Sequence, residues 1–180
     1  MKNKQKSIAE RTALDDILAA VALVLSFVEN MLPDVAFLPP GAKLGLANVV
    51  IMLAVLAVGT VDGFVIVLIK SGFVFLTRGA TSFLMSFAGG LCSFAVLALI
   101  VFVSKKADKS FSYILVSVSC ALMHNVGQTV AASVYMGTNL IKSYLPFLLV
   151  FGVVSGIITG IILKTVMPVV LKINLFKNWG

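Results

Sequence analysis

Long apolar runs alternate along this chain with short breaks that contain glycine, proline or charge. A helix of about 20 apolar residues spans the hydrocarbon core of a bilayer, and the runs predict six such helices. The first covers about Ala13 to Met31 and is ended by Pro33. The second runs from about Leu44 to Val58, and Gly59-Thr60-Val61-Asp62-Gly63 forms a tight turn into the third, about Phe64 to Thr77. Arg78-Gly79-Ala80-Thr81 is the next break. The fourth covers about Ser82 to Val103, the fifth about Phe111 to Tyr135 and the sixth about Leu145 to Leu171. The expected fold is all-α: a polytopic membrane bundle of six transmembrane helices, one domain over residues 1–180.

Composition agrees with this pattern. Hydrophobic residues make up 60% of the chain and charged residues 12%, with a mean hydropathy of +1.11. Soluble domains average roughly 45–50% and 25%. Six spans occupy about 120 residues, which leaves no room for a soluble catalytic domain. The basic start Met1-Lys2-Asn3-Lys4-Gln5-Lys6 is not read as a signal peptide, because the following run continues past cleavable length to Glu29 and no A-x-A site follows.

The charge of +7 is first a topology signal. With six spans both termini share one side. Ten of the 14 basic residues fall there: Lys2, Lys4, Lys6, Arg11, Lys105, Lys106, Lys109, Lys164, Lys172 and Lys177. The termini are therefore expected in the cytoplasm of a bacterial cell, and no nucleic-acid partner is expected, since no basic stripe is interleaved with aromatics.

Polar residues within the spans carry more information, because they are costly in lipid and turn to the bundle interior. This orientation puts Glu29 at the outer end of the first helix, Asn48 in the outer third of the second and Arg78 at the outer end of the third. Ser86 lies in the outer part of the fourth, and Tyr144 at the outer entrance of the sixth. Lys70 and the group His124, Asn125 and Gln128 lie near mid-membrane, while the inner halves read as almost purely apolar. The pattern describes a polar pocket that opens outward and is closed toward the cytoplasm. Singly, His124, Asn125 and Gln128 fit helix-to-helix glue as well as ligand binding; as a set they favour a pocket. Lys70 suits an anionic ligand, whereas Arg78 reads as a helix-end anchor.

Small residues mark close helix approach. Gly152, Gly156 and Gly160 form GxxxGxxxG in the sixth helix, and Ala9 with Ala13 and Ala22 with Ser26 form small pairs along the first. Such pairs serve packing within the bundle or docking of a second membrane protein.

Catalytic patterns are missing. There is no G-x-x-x-x-G-K-[ST] loop, no Ser-His-Asp set and no HExxH. Cys92 and Cys120 lie in apolar runs with no metal-ligand spacing. Asp15-Asp16 is the only acidic pair, and Ala19 stands where a magnesium-binding DDxxD would continue. No enzymatic activity, cofactor or metal site is expected.

Several segments together resemble a known family: Glu29-Asn30-Met31-Leu32-Pro33, Pro40-Gly41-Ala42-Lys43-Leu44-Gly45-Leu46-Ala47-Asn48, Ser86-Phe87-Ala88-Gly89-Gly90, His124-Asn125-Val126-Gly127-Gln128 and Tyr144-Leu145-Pro146. They are similar to the Gx transporter family, also labelled heptaprenyl diphosphate synthase component I. The resemblance covers about Ala13 to Leu163 and departs at Lys70, where the family pattern has arginine.

That family resembles the substrate-binding S components of energy-coupling factor (ECF) transporters. The resemblance implies capture of a vitamin-like or quinone- or isoprenoid-related small molecule, with a transmembrane coupling protein and two cytoplasmic ATPases as partners. It assigns substrate contacts to Asn48, Lys70, Ser86, His124, Asn125, Gln128 and Tyr144. A lid follows the first helix, with Glu29, Gly41 and Lys43, and docking falls to Ala9, Ala13, Ala22 and Ser26. The enzyme label implies another role, a noncatalytic membrane subunit of a prenyl synthase. An ion-coupled carrier would be expected to contain two related halves, and no internal repeat is present.

Overall fold

Helix formation follows the apolar runs closely, but the joints between helices are set by a few residues with unusual backbone geometry. The computed structural model describes residues 2–31, 45–108, 111–137 and 140–172. Among them are five helices: α1 (Lys2–Met31), α2 (Leu46–Ala57), α3 (Thr60–Ala107), α4 (Tyr113–Met136) and α5 (Leu140–Lys172). Helix α1 starts well before the predicted Ala13, because Lys, Gln, Ala, Glu and Arg in its first turns are good helix formers without being apolar.

Five helices stand where six were predicted, because the third and fourth join as α3 with no loop between them; the break predicted at Arg78–Thr81 is present, as a fold at one residue. Gly79 interrupts α3 with φ 81° and ψ −177°, a conformation open essentially to glycine. Phe64 and Phe94 have ring centroids 5.4 Å apart, as do Phe75 and Phe83 at 5.7 Å. Thirty residues of straight helix would separate the first pair by about 45 Å. The pairs lie symmetrically about Gly79, so α3 folds back there into two limbs that run side by side.

Among the described residues, three helices are long and apolar enough to cross a membrane: Thr60–Ala107, Tyr113–Met136 and the Tyr144–Lys172 part of α5. Their surfaces carry large apolar side chains such as Leu76, Val134, Phe147 and Val150, all strongly exposed. Helix α2, at 12 residues, is about 18 Å long and too short to span. Nine of its residues are buried, as expected for a helix that is apolar all round. It is the centre of the bundle, packed against α1, α3 and α5.

Packing between α4 and α5 depends on the glycine series. A Cβ added to Gly156 would lie 2.6 Å from Val118 Cα, and one added to Gly160 would lie 2.8 Å from Ile114 Cα. The two backbones are nearly in contact. In lipid, where apolar burial gives little drive between helices, such close packing holds them together. Gly156→Ala is therefore expected to destabilise the bundle by about 1–3 kcal/mol. Gly72→Ala, where a new Cβ meets nothing within 4 Å, is expected to be neutral or mildly stabilising. Thermal unfolding of both variants in one detergent checks the contrast.

Candidate functional site

Each helix places one short polar stripe on the same side, at the three- and four-residue spacing that keeps side chains on one helical face. On α4 it is Ser117, Ala121, His124 and Gln128, with Cys120 and Asn125 beside it. On α3 it is Lys70, Val74 and Arg78 before the fold at Gly79, then Ser82, Met85 and Ser86 after it. Helix α1 contributes Ser26 and Glu29, α2 Asn48 and Met52 behind Gly45, and α5 Ser155 and Thr159. Together they enclose a cavity of about 150 Å³. It reaches the end of the bundle where α1 stops, α2 starts and α3 folds back. From Gln128 to Ser117 it follows α4 for 11 residues, about 16 Å.

Two hydrogen bonds define the mouth. Glu29 Oε1 accepts from the backbone N–H of Leu46 at 2.7 Å. That N–H opens α2, whose N-cap, Gly45, has φ 78° and no side chain to cap with. A carboxylate borrowed from α1 satisfies the orphan donor and complements the positive end of the helix. Lys70 Nζ donates to Asn48 Oδ1 at 2.7 Å, so the first turn of α2 is held from two sides. Lys70 is only 8% exposed, and Glu29, in the same wall, supplies the opposite charge that a buried ammonium requires.

Deeper in, glycines seat the polar side chains. A Cβ on Gly89 would lie 2.9 Å from His124 Cε1, so the imidazole rests directly on the α3 backbone. Asn125 Nδ2 donates to the carbonyl of Leu148 at 2.6 Å, over Gly152, whose missing side chain leaves the space. Asn125 thus tethers α4 to α5 as well as lining the cavity.

Of the predicted substrate contacts, Asn48, Lys70, Ser86, His124, Asn125 and Gln128 all line this cavity, whereas Tyr144 stands half-buried outside it. Glu29 is at the mouth. Gly41 and Lys43 lie outside the described residues, as does the side chain of Ala9. Ala13 is exposed, but Ala22 and Ser26 are buried, Ala22 in the core beside α2 and α3 and Ser26 in the cavity wall. That pair presents no docking face here, because the inward side of α1 is where small residues let α2 approach.

Arg78, read as an anchor, is also in the wall. The expectation of apolar inner halves is corrected too: Ser117, Ser155 and Thr159 floor the cavity. Their signal was the continuation of the His124–Gln128 face down α4, at steps of three and four residues, to Ser117.

Residues 18–166 match the family model described as heptaprenyl diphosphate synthase component I, and the chain belongs to that family. No curated protein and no solved structure matches the chain significantly.

Removal of the Glu29 carboxylate leaves the Leu46 N–H without its acceptor. Glu29→Ala is expected to cost about 1–2 kcal/mol of stability, and Glu29→Gln, which keeps an acceptor oxygen, less than half of that. Thermal unfolding in detergent measures both.

Proposed function

We propose that this member of the heptaprenyl diphosphate synthase component I family is a substrate-binding membrane component of an ECF-type uptake transporter. It captures a small polar or anionic nutrient, and partner subunits supply the energy: a transmembrane coupling protein and two cytoplasmic ATPases. The carrying observation is the convergence of polar stripes from all five helices on one cavity that contains a buried lysine. A bundle that needed only stability would be served as well by apolar residues at these positions.

Two further points support this reading. With the two limbs of α3 counted separately, six apolar segments put both chain termini on one side, and ten of the 14 basic residues belong to it, which by the positive-inside rule makes it cytoplasmic. The cavity then faces outward, as capture of a nutrient requires. Its volume, about 150 Å³, is that of a cavity that accepts a benzene-sized guest. A long prenyl chain is far larger than this, so the cargo is the size of a single ring or a short chain.

The family description favours a second reading, a membrane subunit associated with heptaprenyl diphosphate synthase. Native purification in mild detergent, with mass spectrometry of proteins and small molecules, separates the two. The transporter reading expects an ATPase pair, a coupling membrane protein and one retained metabolite; a prenyl synthase without ATPases would establish the other.

Lys70→Met is expected to weaken binding of the retained metabolite by about 10-fold or more, as the loss of a charge-assisted hydrogen bond predicts. The double variant His124→Ala/Gln128→Ala is expected to lower affinity as well. Unchanged affinity in both would remove these residues from the site.

A further inference from the structure

The floor of the cavity consists of three hydroxyl groups whose protons can be traced. Ser117, Ser155 and Thr159 line it, at 1%, 4% and 3% exposure. Thr159 Oγ1 has one proton and stands 2.8 Å from the Ser155 carbonyl and 3.2 Å from that of Gly156, so that proton points back at its own helix. With the Thr159 proton on its own helix, the 2.7 Å contact between Ser117 Oγ and Thr159 Oγ1, which either hydroxyl could donate by distance alone, is assigned to the Ser117 proton, with Thr159 accepting. Ser155 Oγ donates to the Gly152 carbonyl at 3.3 Å. On this assignment all three protons are used within the protein, and the floor offers an occupant lone pairs.

Higher in the cavity the chemistry is reversed. His124, at the level of Gly89, is seven residues above Ser117 on α4, about 10 Å. Toward the mouth Lys70 gives one proton to Asn48 Oδ1. An ammonium has three donors and no acceptor, so Lys70 can donate to an occupant as well as to Asn48.

We propose that the cavity reads a bipolar ligand: an anionic or other acceptor group at Lys70, and an N–H donor seated on the floor formed by Ser117, Ser155 and Thr159. This rests on the ligand-binding reading above and deepens it, by naming both ends of the cargo and the direction in which it lies. Selectivity follows from burial. A ligand that ends in a methyl group would cover acceptors that water can then no longer reach, and a site built for hydrogen bonding rejects such analogues.

Four para-disubstituted benzenes test this on the full chain in detergent by calorimetric titration. They are para-aminobenzoate, para-methylbenzoate, para-toluidine and para-xylene, in which carboxylate and amine are each exchanged for methyl. The aminobenzoate is expected to bind tightest, and exchange of its amine for methyl to weaken binding about 3- to 10-fold. Ser117→Ala should lower that amine-to-methyl ratio and leave the carboxylate-to-methyl ratio in place; Lys70→Met should do the reverse.

Equal binding of aminobenzoate and methylbenzoate to the unaltered chain overturns the donor-reading floor and leaves the site standing. So does stabilisation by sodium chloride over choline chloride that Ser117→Ala abolishes, which would assign the hydroxyls to a cation. Where no probe binds, the metabolite retained in native purification decides: one with both an acceptor and an N–H supports the inference, and one without an N–H overturns it. Absence of both probe binding and a retained metabolite overturns the binding site and this inference together.

Discussion

Polar side chains on a helix surrounded by hydrocarbon have no water to satisfy them, so their free energy is lowest where they face one another. This constraint organises the whole bundle. Helices α2 to α5, and α1 beyond Asp16, are mostly apolar with a few polar residues on one side, and the arrangement that hides these together is the one with a cavity between them. The short helix α2 completes it. Too short to span and apolar on nearly every side, it fills the centre, and its first turn, with Asn48, is pinned at the mouth by Glu29 and Lys70.

Close packing and site geometry are the same feature seen twice. Gly89 lets His124 lie against the α3 backbone, Gly152 lets Asn125 reach the Leu148 carbonyl, and Gly127 brings α4 against Ala88 and Cys92. A Cβ at these positions would lie 2.7–2.9 Å from its nearest neighbour, so the packing around the cavity would have to shift. Selectivity in such a site is held by backbone contacts, which deform little, and less by flexible side chains.

The residues at the mouth also join binding to architecture. Lys70 is the buried cation of the cavity and at the same time a ligand of the first turn of α2 through Asn48. A group that draws on Lys70 therefore acts on the helix start that Glu29 caps from the other side. On the proposed function, anion capture and the position of α2 are linked through this one side chain.

Much of this was legible in the chain before any coordinates. Hydrophobic runs and breakers determine helices and their approximate ends, because length and apolarity alone decide what crosses a bilayer. The intramembrane polar residues point to the site for the same energetic reason, and Asn48, Lys70, His124 and Gln128 do meet in it. Tertiary structure alone decided how the helices are joined and turned. The break at Arg78–Thr81 can be read from the sequence, but not that it is a fold at Gly79 alone with no loop, since that depends on a single pair of backbone angles and on the phenylalanine pairs that close the limbs. Nor does a run of apolar residues reveal the rotation of each helix about its axis, which buried Ala22 and Ser26, left Tyr144 outside and brought Ser117, Ser155 and Thr159 beneath the cavity. Small residues and hydroxyls are compatible with lipid, packing and a polar wall alike, and only the neighbouring helices select among the three.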